Sequence, residues 1–371
     1  MGQIVSGIRQ EGKNVDQSLK KARGSLFSLL GTAFSYKCTL GPLVQIHLFR
    51  TYTCPILRAG LSSFALRPSQ MSPLALFHRK CLKGFLHLSK SAPTPAIHFL
   101  LGELPMEAKI HRDMFSLFYS VWKNPDTKIY QIIKIILSEA EDNSSTWAIN
   151  FRHICKQYNF ENPLNCLQRD PPAKSAFKEN VRLKISQFHE KELKEQALSN
   201  SKMLYFNVNL FSLRGRHHPC LKNIIAIEDV KKVRAHLKFL CGDYFTYEVR
   251  YNQTGKGSSL CKICYLESES ICHIVSRCTE YESIRTRITS EVKEILSKMN
   301  LSNPLKIFEN ENLFTQFILD PSSFNLDSDC RVNINDPMLT DLFKLSRDFC
   351  YSIDNTRKRK LKQLEDATLN C

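Results

Sequence analysis

Residues 172–190, PAKSAFKENVRLKISQFHE, decide the fold class because they carry the clearest helical pattern in the chain. Pro172 stands where a helix can begin, and lysine and glutamate fill most positions between the apolar residues. Those apolar residues recur every three or four positions: Phe177, Val181, Ile185 and Phe188. The segment is therefore predicted to be an amphipathic helix that packs one face on a core.

Comparable spacing of apolar residues continues through most of the 371 residues and predicts a mainly α fold. Further helices are expected to begin at residues that favour a helix N-terminus. These starts are Asp16, Pro42, Ser72–Pro73, Pro105 and Asp126. In the helix from Pro42, Val44 and Tyr52 are expected to face inward.

Two short segments favour extended chain instead. Residues 203–211 (MLYFNVNLF) alternate loosely, and residues 244–251 (YFTYEVRY) are aromatic and β-branched. The chain is therefore expected to contain a few short strands among its helices.

A cysteine-rich segment, residues 261–278 (CKICYLESESICHIVSRC), has the spacing of a zinc knuckle. Two cysteines separated by two residues can reach one ion from a tight turn, and a histidine and a cysteine separated by four residues can complete a tetrahedron. The predicted ligands are Cys261, Cys264, His273 and Cys278. Four protein ligands leave no open position, so the predicted Zn²⁺ is structural rather than catalytic.

Two alternatives to this ligand set follow from the composition. The chain has 14 cysteines, and those of the knuckle could instead be small buried hydrophobes. Cys272 adjoins His273 and could replace it, but the spacing to Cys278 favours His273. The connector between the two ligand pairs contains Glu267 and Glu269 and is expected to be exposed.

The positive charge of the chain is unevenly distributed. The net charge is +16, and residues 1–102 contribute +11 of it, with 13 lysines and arginines against two acids. A segment so poor in carboxylates does not balance its own charge, and it is expected to face a polyanion such as nucleic acid.

Three cationic segments are candidates for contact with phosphates. On the helix predicted from Pro73, His78 and three bases lie away from the apolar stripe. The candidate nucleic-acid-binding residues of the three segments are Arg79, Lys80, Lys83, Arg214, Arg216, His217, His218, Lys231, Lys232, Arg234 and Lys238. Guanidinium, ammonium and imidazole groups suit phosphate oxygens, although a solvated helix face or a polar loop has the same composition.

Possible targeting segments bear on where in the cell the protein is expected. The N-terminus lacks the apolar run of a secretory signal, and no window of about 20 apolar residues is long enough to span a membrane. The protein is therefore expected in the nucleus or cytoplasm, with most cysteines as free thiols. Gly2 and Ser6 fit a myristoylation pattern, and Arg357–Lys362 is a basic run that suits either a nuclear signal or a solvated helix end.

The residues that catalysis would need are not grouped in the sequence. The chain has no adjacent pair of aspartates and no G-x-S-x-G sequence. A two-metal nuclease or polymerase requires clustered carboxylates, so the chain is not expected to be an enzyme.

The knuckle, with spacing C-x2-C-x8-H-x4-C, resembles the zinc-binding segment downstream of the polymerase domain in LINE-type (non-LTR) retrotransposon reverse transcriptases. Upstream segments are similar to further parts of the polymerases of that family. Gly2–Val5 resembles the last palm strand, and TYTCPILRAG (51–60) resembles the thumb. LLGELPMEAK (100–109) resembles the helical connector, and LRGRHHPCL (213–221) with residues 234–242 resembles the basic approach to the knuckle. The resemblance implies that the thumb-like and zinc-binding regions grip RNA or DNA. The family's catalytic aspartates lie upstream of the Gly2 segment, so no polymerase metal site is expected here.

Together these observations predict a mainly α protein: a thumb-like and connector bundle with a small CCHC knuckle. Its expected parts are a basic thumb-like region (1–102), a helical connector (103–250), the knuckle region (251–300) and a C-terminal helical segment (301–371). The predicted function is non-catalytic binding of RNA or DNA with one structural zinc and no small-molecule substrate. The alternatives are a zinc-stabilised interaction scaffold and a non-functional remnant of a retroelement.

Overall fold

The computed structural model describes residues 10–29, 40–139, 146–208, 213, 215–298, 307–323 and 337–369. Within these ranges the chain is mainly helical, so the predicted mainly α class is confirmed. Their one β-bridge joins Leu260 to Ser268. None of the helices in this part of the chain has both the length and the apolar character needed to cross a bilayer.

The first seven helices build one half of the bundle. They are α1 (Gln10–Leu29), α2 (Pro42–Leu48), α3 (Cys54–Arg58), α4 (Pro68–Phe85), α5 (Thr94–Leu101), α6 (Met106–Trp122) and α7 (Lys128–Glu139). A π-helical turn, Phe49–Thr53, joins α2 to α3. Helix α1 packs on α3 and α4, and α4 packs on α5 and α6.

The remaining helices extend the bundle toward the knuckle. They are α8 (Trp147–Gln157), α9 (Pro163–Cys166), α10 (Lys174–Leu198), α11 (Ile227–Leu240), α12 (Tyr247–Thr254), α13 (Glu282–Ser297), α14 (Glu311–Leu319) and α15 (Pro337–Leu369). Helix α10 packs on α5 and α6, and the long α15 packs on α11 and α13. The helix predicted from residues 172–190 is confirmed as α10, with Val181 and Ile185 buried.

Two predicted helix starts are wrong. Helix α1 begins before Asp16, which therefore does not cap it. Helix α4 begins at Pro68, and Pro73 lies inside it. The earlier start is stabilised because the Arg67 backbone N–H donates to Gln70 Oε1 at 2.8 Å, and because proline at a first helical position costs no hydrogen bond.

The predicted inward face of the second helix is also wrong. Val44 is 46% exposed and Tyr52 is 54% exposed, whereas Ile46 and Phe49 are fully buried. Burying Ile46 and Phe49 removes more apolar area from water than burying Val44 would, and the π-helical turn breaks the regular period before Tyr52.

The strand predictions fail in the described residues. Residues 247–254 form α12, because Thr246 caps this helix by accepting a hydrogen bond from the Val249 backbone N–H at 3.2 Å. Residues 201–208 form a 3-10 turn and irregular chain, and residues 209–211 lie outside the described part. Local capping overrides the β-branched and aromatic composition here.

A single cluster of buried apolar residues extends from Val15 to Ile353. This cluster includes residues from all four predicted regions. Helix α5 ends at the first predicted border, residue 102, and it packs both on α4, which precedes that border, and on α10, which follows it. The borders at 102, 250 and 300 remain predictions.

Candidate metal centre

The first half of the knuckle is a narrow ribbon with a tight turn. The Cys261 backbone N–H donates to Glu267 O at 2.8 Å, and the Glu269 N–H donates to Ser259 O at 2.8 Å. The turn closes where the Tyr265 N–H donates to Cys261 O at 2.9 Å. This geometry brings the side chains of Cys261 and Cys264 to one side of the turn.

The second half is a π-helical turn, His273–Arg277. Ser270 Oγ accepts from the His273 N–H at 3.0 Å, and the Cys278 N–H donates to His273 O at 2.7 Å. The wide turn places His273 and Cys278, which are five positions apart, on the same side.

The four predicted ligands converge on one point. The ligand atoms of Cys261, Cys264, His273 and Cys278 all lie within 4.8 Å of one another, and Cys264 Sγ lies 3.3 Å from His273 Nε2. Zn–S bonds of about 2.3 Å and Zn–N bonds of about 2.0 Å imply ligand separations of about 3.5–3.8 Å in a tetrahedron. The cluster can therefore hold one metal ion after small adjustments.

Cys272 does not belong to this cluster. Its Sγ donates to Asn312 Oδ1 at 3.4 Å, and Thr315 Oγ1 lies 3.6 Å from it, so the thiol faces α14. This placement favours His273 over Cys272 as the fourth donor of the cluster.

Protonation within the cluster also suits a metal. A hydrogen bond from the Cys278 thiol lowers the pKa of Cys261 to about 3, against the opposing effect of burial. The same hydrogen bond raises the pKa of Cys278. Burial lowers the pKa of His273, but its hydrogen bond and charge interaction with Cys261 outweigh this and raise it. The lowered pKa favours the thiolate of Cys261, and a bound cation would displace the protons of the other thiols.

The carboxylate of Glu267 lies beside the ring nitrogen of His273 that does not face Cys264, and Arg277 holds that carboxylate. His273 Nδ1 lies 3.5 Å from Glu267 Oε2, and Arg277 Nε lies 3.2 Å from the same oxygen. A carboxylate behind the free ring nitrogen of a metal-binding histidine fixes the ring and its tautomer. Glu267 is half-exposed, as predicted for the connector.

Glu269, by contrast, is fully buried, so the predicted exposure of this residue is wrong. Its carboxylate accepts two hydrogen bonds from Arg357 of α15, at 2.8 and 3.0 Å, and one from the Tyr247 backbone N–H at 2.8 Å. Arg357 is 7% exposed, so the first residue of the predicted basic tail is an internal partner and not a solvated one. A buried carboxylate needs such partners, which the sequence does not reveal across 88 residues.

Arg285 of α13 supports the second pair of ligands. It donates to Val275 O at 3.0 Å and to Cys278 O at 2.7 Å. These backbone contacts hold the end of the π-helical turn in place. Sequence reasoning missed Arg285 because it looks like an ordinary base on an amphipathic helix.

The cationic candidates on α4 are only partly available to a ligand. Lys80 is exposed, whereas Arg79 and Lys83 are half-buried. Lys83 Nζ donates to Lys90 O at 2.8 Å, and burial lowers its pKa. His78, predicted on the outer face, is fully buried between α4 and the core because its ring stacks on Phe49.

The candidates near residues 214–218 are divided between surface and core. Arg216 is exposed, and His217 is half-buried with Nδ1 lying 2.8 Å from Leu101 O. His218 is completely buried and its Nδ1 accepts from the Cys220 N–H at 3.2 Å, so it cannot reach a ligand at the surface and is removed from the candidates. Arg214 lies outside the described residues.

Two bases of helix α11 already have acidic partners. Lys231 pairs with Glu228 at 2.6 Å, and Lys232 pairs with Asp348 of α15 at 2.7 Å. Arg234 and Lys238 are half-buried. Lys232 therefore supports the packing of α11 on α15, and Lys231 is held at the surface of its own helix.

The described cysteines are all free thiols, and most are buried, as predicted. Gly2 and its possible modification lie outside the described residues.

Comparisons with models of protein families, with curated proteins and with solved structures found no match for this chain.

Proposed function

We propose that this protein binds RNA or DNA through cationic surfaces and uses one structural Zn²⁺ to hold its C-terminal part together. The observation that carries the proposal is the uneven charge, with +11 contributed by residues 1–102. Within the described residues, exposed Lys80 and Arg216 remain unpaired by any acid and lie on the surface. Cations of this kind suit phosphate oxygens and carry little sequence information.

The donor set supports zinc as the metal. Three thiols and one imidazole in a closed cluster are the ligands that structural zinc prefers. Four protein ligands fill a tetrahedron and leave no position for water or substrate. The ion would therefore stabilise the fold without chemistry of its own.

The proposal does not include catalysis. Within the described ranges, the knuckle is the one group of three or more residues that could hold a metal. The resemblance to the C-terminal region of non-LTR reverse transcriptases supports the same function, because the thumb-like and zinc-binding regions of that family grip nucleic acid. Descent from such an element is part of the proposal.

The test is a salt titration of binding to fluorescent 20-nucleotide RNA and DNA strands of mixed sequence. Affinity is expected to fall steeply with salt, with a log–log slope of about −0.7 for each phosphate contact on a single strand. Arg79, Lys80 and Lys83, changed together to Gln, are expected to weaken binding equally for all sequences and to flatten the slope by at most about two units.

The matched control removes the same charge elsewhere. Lys123, Lys128 and Lys134 are exposed on or next to α6 and α7, and their replacement by Gln gives an equal net charge. The proposal predicts a smaller loss for this control. Affinity that ignores salt, or equal losses in both triple variants, would contradict it.

One observation favours the alternative of an interaction scaffold. Helix α7 exposes Ile129 (60%), Ile132 (55%) and Ile135 (52%) to solvent. Apolar residues gathered on one exposed helix are typical of a surface that binds another protein. Salt-insensitive binding in the titration above would support this alternative.

A further inference from the structure

A cationic cavity of about 510 Å³ lies between the bend that joins α2 to α3, helix α6 and helix α10. Its size is within the range of about 300–1,000 Å³ that is typical of ligand sites. Gly102 and Gly215 line one edge. Gly102 has a φ of +56°, and a Cβ there would collide with the Arg216 carbonyl oxygen. The backbone around Arg216 therefore packs directly against Gly102 at this edge of the cavity.

The lining of this cavity is strongly positive. Six bases face two acids, which leaves an excess of four positive charges. The six bases are Arg50, Arg58, Lys109, Arg112, Lys178 and Arg182. A concave surface with this excess concentrates the field and attracts anions.

Both acids of the cavity already have partners. Arg50 Nε donates to Glu103 Oε2 at 2.6 Å, and Lys109 pairs with the other oxygen of Glu103. Arg58 donates to both oxygens of Asp113, at 2.8 and 2.9 Å. The direct ion pairs of both carboxylates are therefore with Arg50, Lys109 and Arg58, and Asp113 acts on Arg112 only through its charge, without a hydrogen bond.

The side chains of two of the remaining bases make no hydrogen bond or ion pair with the described residues. They are Arg112 on α6 and Lys178 on α10, whereas Arg182 is bound by Glu179 at 2.8 and 2.9 Å. Burial, and then the positive charge of Arg58, lower the pKa of Arg112. An anion between α6 and α10 would offset both effects.

Buried polar atoms of the cavity also lack partners in the described part of the chain. Ser186 is 1% exposed, and its Oγ has no hydrogen-bond partner. Arg58 Nε is buried and likewise has no acceptor, although the other nitrogens of this guanidinium are bound. Buried donors without acceptors are rare in proteins. Both atoms are shielded from solvent as they stand, so a ligand oxygen would satisfy them only after the side chains shift toward the cavity.

We propose that this cavity binds a phosphate group, supplied by the backbone of a nucleic-acid strand. The inference rests on the proposed function and deepens it by naming where one phosphate sits. Arg112, Lys178 and Ser186 are the donors left for its oxygens. A phosphate matches these donors because it combines negative charge with several acceptor oxygens in a small volume.

A free polyphosphate presents the same chemistry, so inorganic tripolyphosphate is the probe. It is expected to bind the full chain and to displace a labelled 20-nucleotide strand. Arg112→Gln with Lys178→Gln is expected to weaken both ligands about tenfold or more and to flatten the salt slope for the strand by about 1.4. The control, Lys128→Gln with Lys134→Gln, removes two exposed charges from α7 and is expected to have a smaller effect.

Ser186→Ala separates a binding role from a structural one. The change removes a buried hydroxyl that has no partner, so the thermal midpoint of the free protein is expected to stay the same or rise. Affinity for tripolyphosphate is expected to fall about threefold to tenfold, as for the loss of one hydrogen bond. Loss of stability without loss of affinity would overturn the assignment of Ser186.

Measuring both the strand and tripolyphosphate distinguishes a failure of the cavity proposal from a failure of the proposed function. Strand binding that is unaffected by both cavity variants and by tripolyphosphate would overturn the cavity proposal and leave nucleic-acid binding intact. Tripolyphosphate binding that depends on Arg112 and Lys178, in a chain that binds no strand, would support the phosphate site and overturn nucleic acid as its source.

Discussion

At the knuckle, individual side chains decide whether four donors can share one ion. Cys261, His273 and Cys278 are almost fully buried, and Cys264 is half-buried at the rim of the cluster. The neighbouring Cys272 differs from them because its thiol is already engaged with α14. Cys264 and Cys272 are similarly exposed but have different roles, so they form a matched pair for substitution.

Cys264→Ser is expected to remove the metal, because a hydroxyl is a poor zinc ligand and the other three donors cannot close a tetrahedron. The purified protein is expected to hold about one zinc per chain before the change and close to none after it. Elemental analysis under reducing conditions, without a chelator, makes the measurement.

Cys272→Ser is the control for this prediction. Its hydroxyl can keep the contacts with Asn312 and Thr315, so the zinc content is expected to stay unchanged. Equal loss of zinc in both variants would show that Cys272 is a ligand. A wild-type protein without zinc would contradict the metal site altogether.

At the scale of elements, the knuckle is fastened to the long terminal helix. The buried pair of Glu269 and Arg357 joins the ribbon to α15, and Tyr244 adds a hydrogen bond to Asp354 at 3.1 Å. Lys360 pairs with Glu280 just beyond the π-helical turn. Helix α15 also packs on α11 and α13, so it connects the knuckle to the rest of the core.

Arg357→Gln is expected to lower the free energy of unfolding by about 3–5 kcal/mol, because it leaves the Glu269 carboxylate buried without its counter-charge. Lys358→Gln is the control: this side chain is 66% exposed and pairs with Asp354. Its removal is expected to cost about 0–1 kcal/mol, as for other exposed pairs. Chemical unfolding of both variants with zinc bound makes the comparison, and equal effects would contradict an internal role for Arg357.

At the scale of the whole molecule, the sequence predicts what depends on local spacing. The helical class follows from apolar residues that recur every three or four positions, and the four candidate ligands follow from the spacing C-x2-C-x8-H-x4-C. The structure is helical and brings these four side chains together. Partners that lie far apart in the sequence were not predictable. Arg357 meets Glu269 across 88 residues, and His78 enters the core although its position on α4 suggested solvent. Tertiary packing selects these partners, and no local pattern records it.

Buried neutral histidines are distributed through the core and are expected to make stability depend on pH. Burial lowers the pKa of His111 to about 3 and those of His189 and His236 to about 4. Two of them share a buried hydroxyl, with Tyr158 Oη 2.8 Å from His111 Nδ1 and 2.9 Å from His189 Nε2. Each is therefore neutral in the folded protein at a pH where it is protonated in the unfolded chain.

Stability is accordingly expected to fall as the pH drops below about 6.5, the ordinary pKa of histidine, and to continue falling until about pH 4. Over that window the unfolded chain binds more protons than the folded one, and each such histidine costs about 1.4 kcal/mol per pH unit. Urea unfolding between pH 7.5 and 5 measures the slope. Loss of zinc would also destabilise the protein in acid, so Cys264→Ser, which is expected to lack the metal, is measured beside the wild type. Histidine protonation predicts a similar slope between pH 6.5 and 5 in both proteins, whereas a slope that disappears in Cys264→Ser would assign the acid sensitivity to the knuckle.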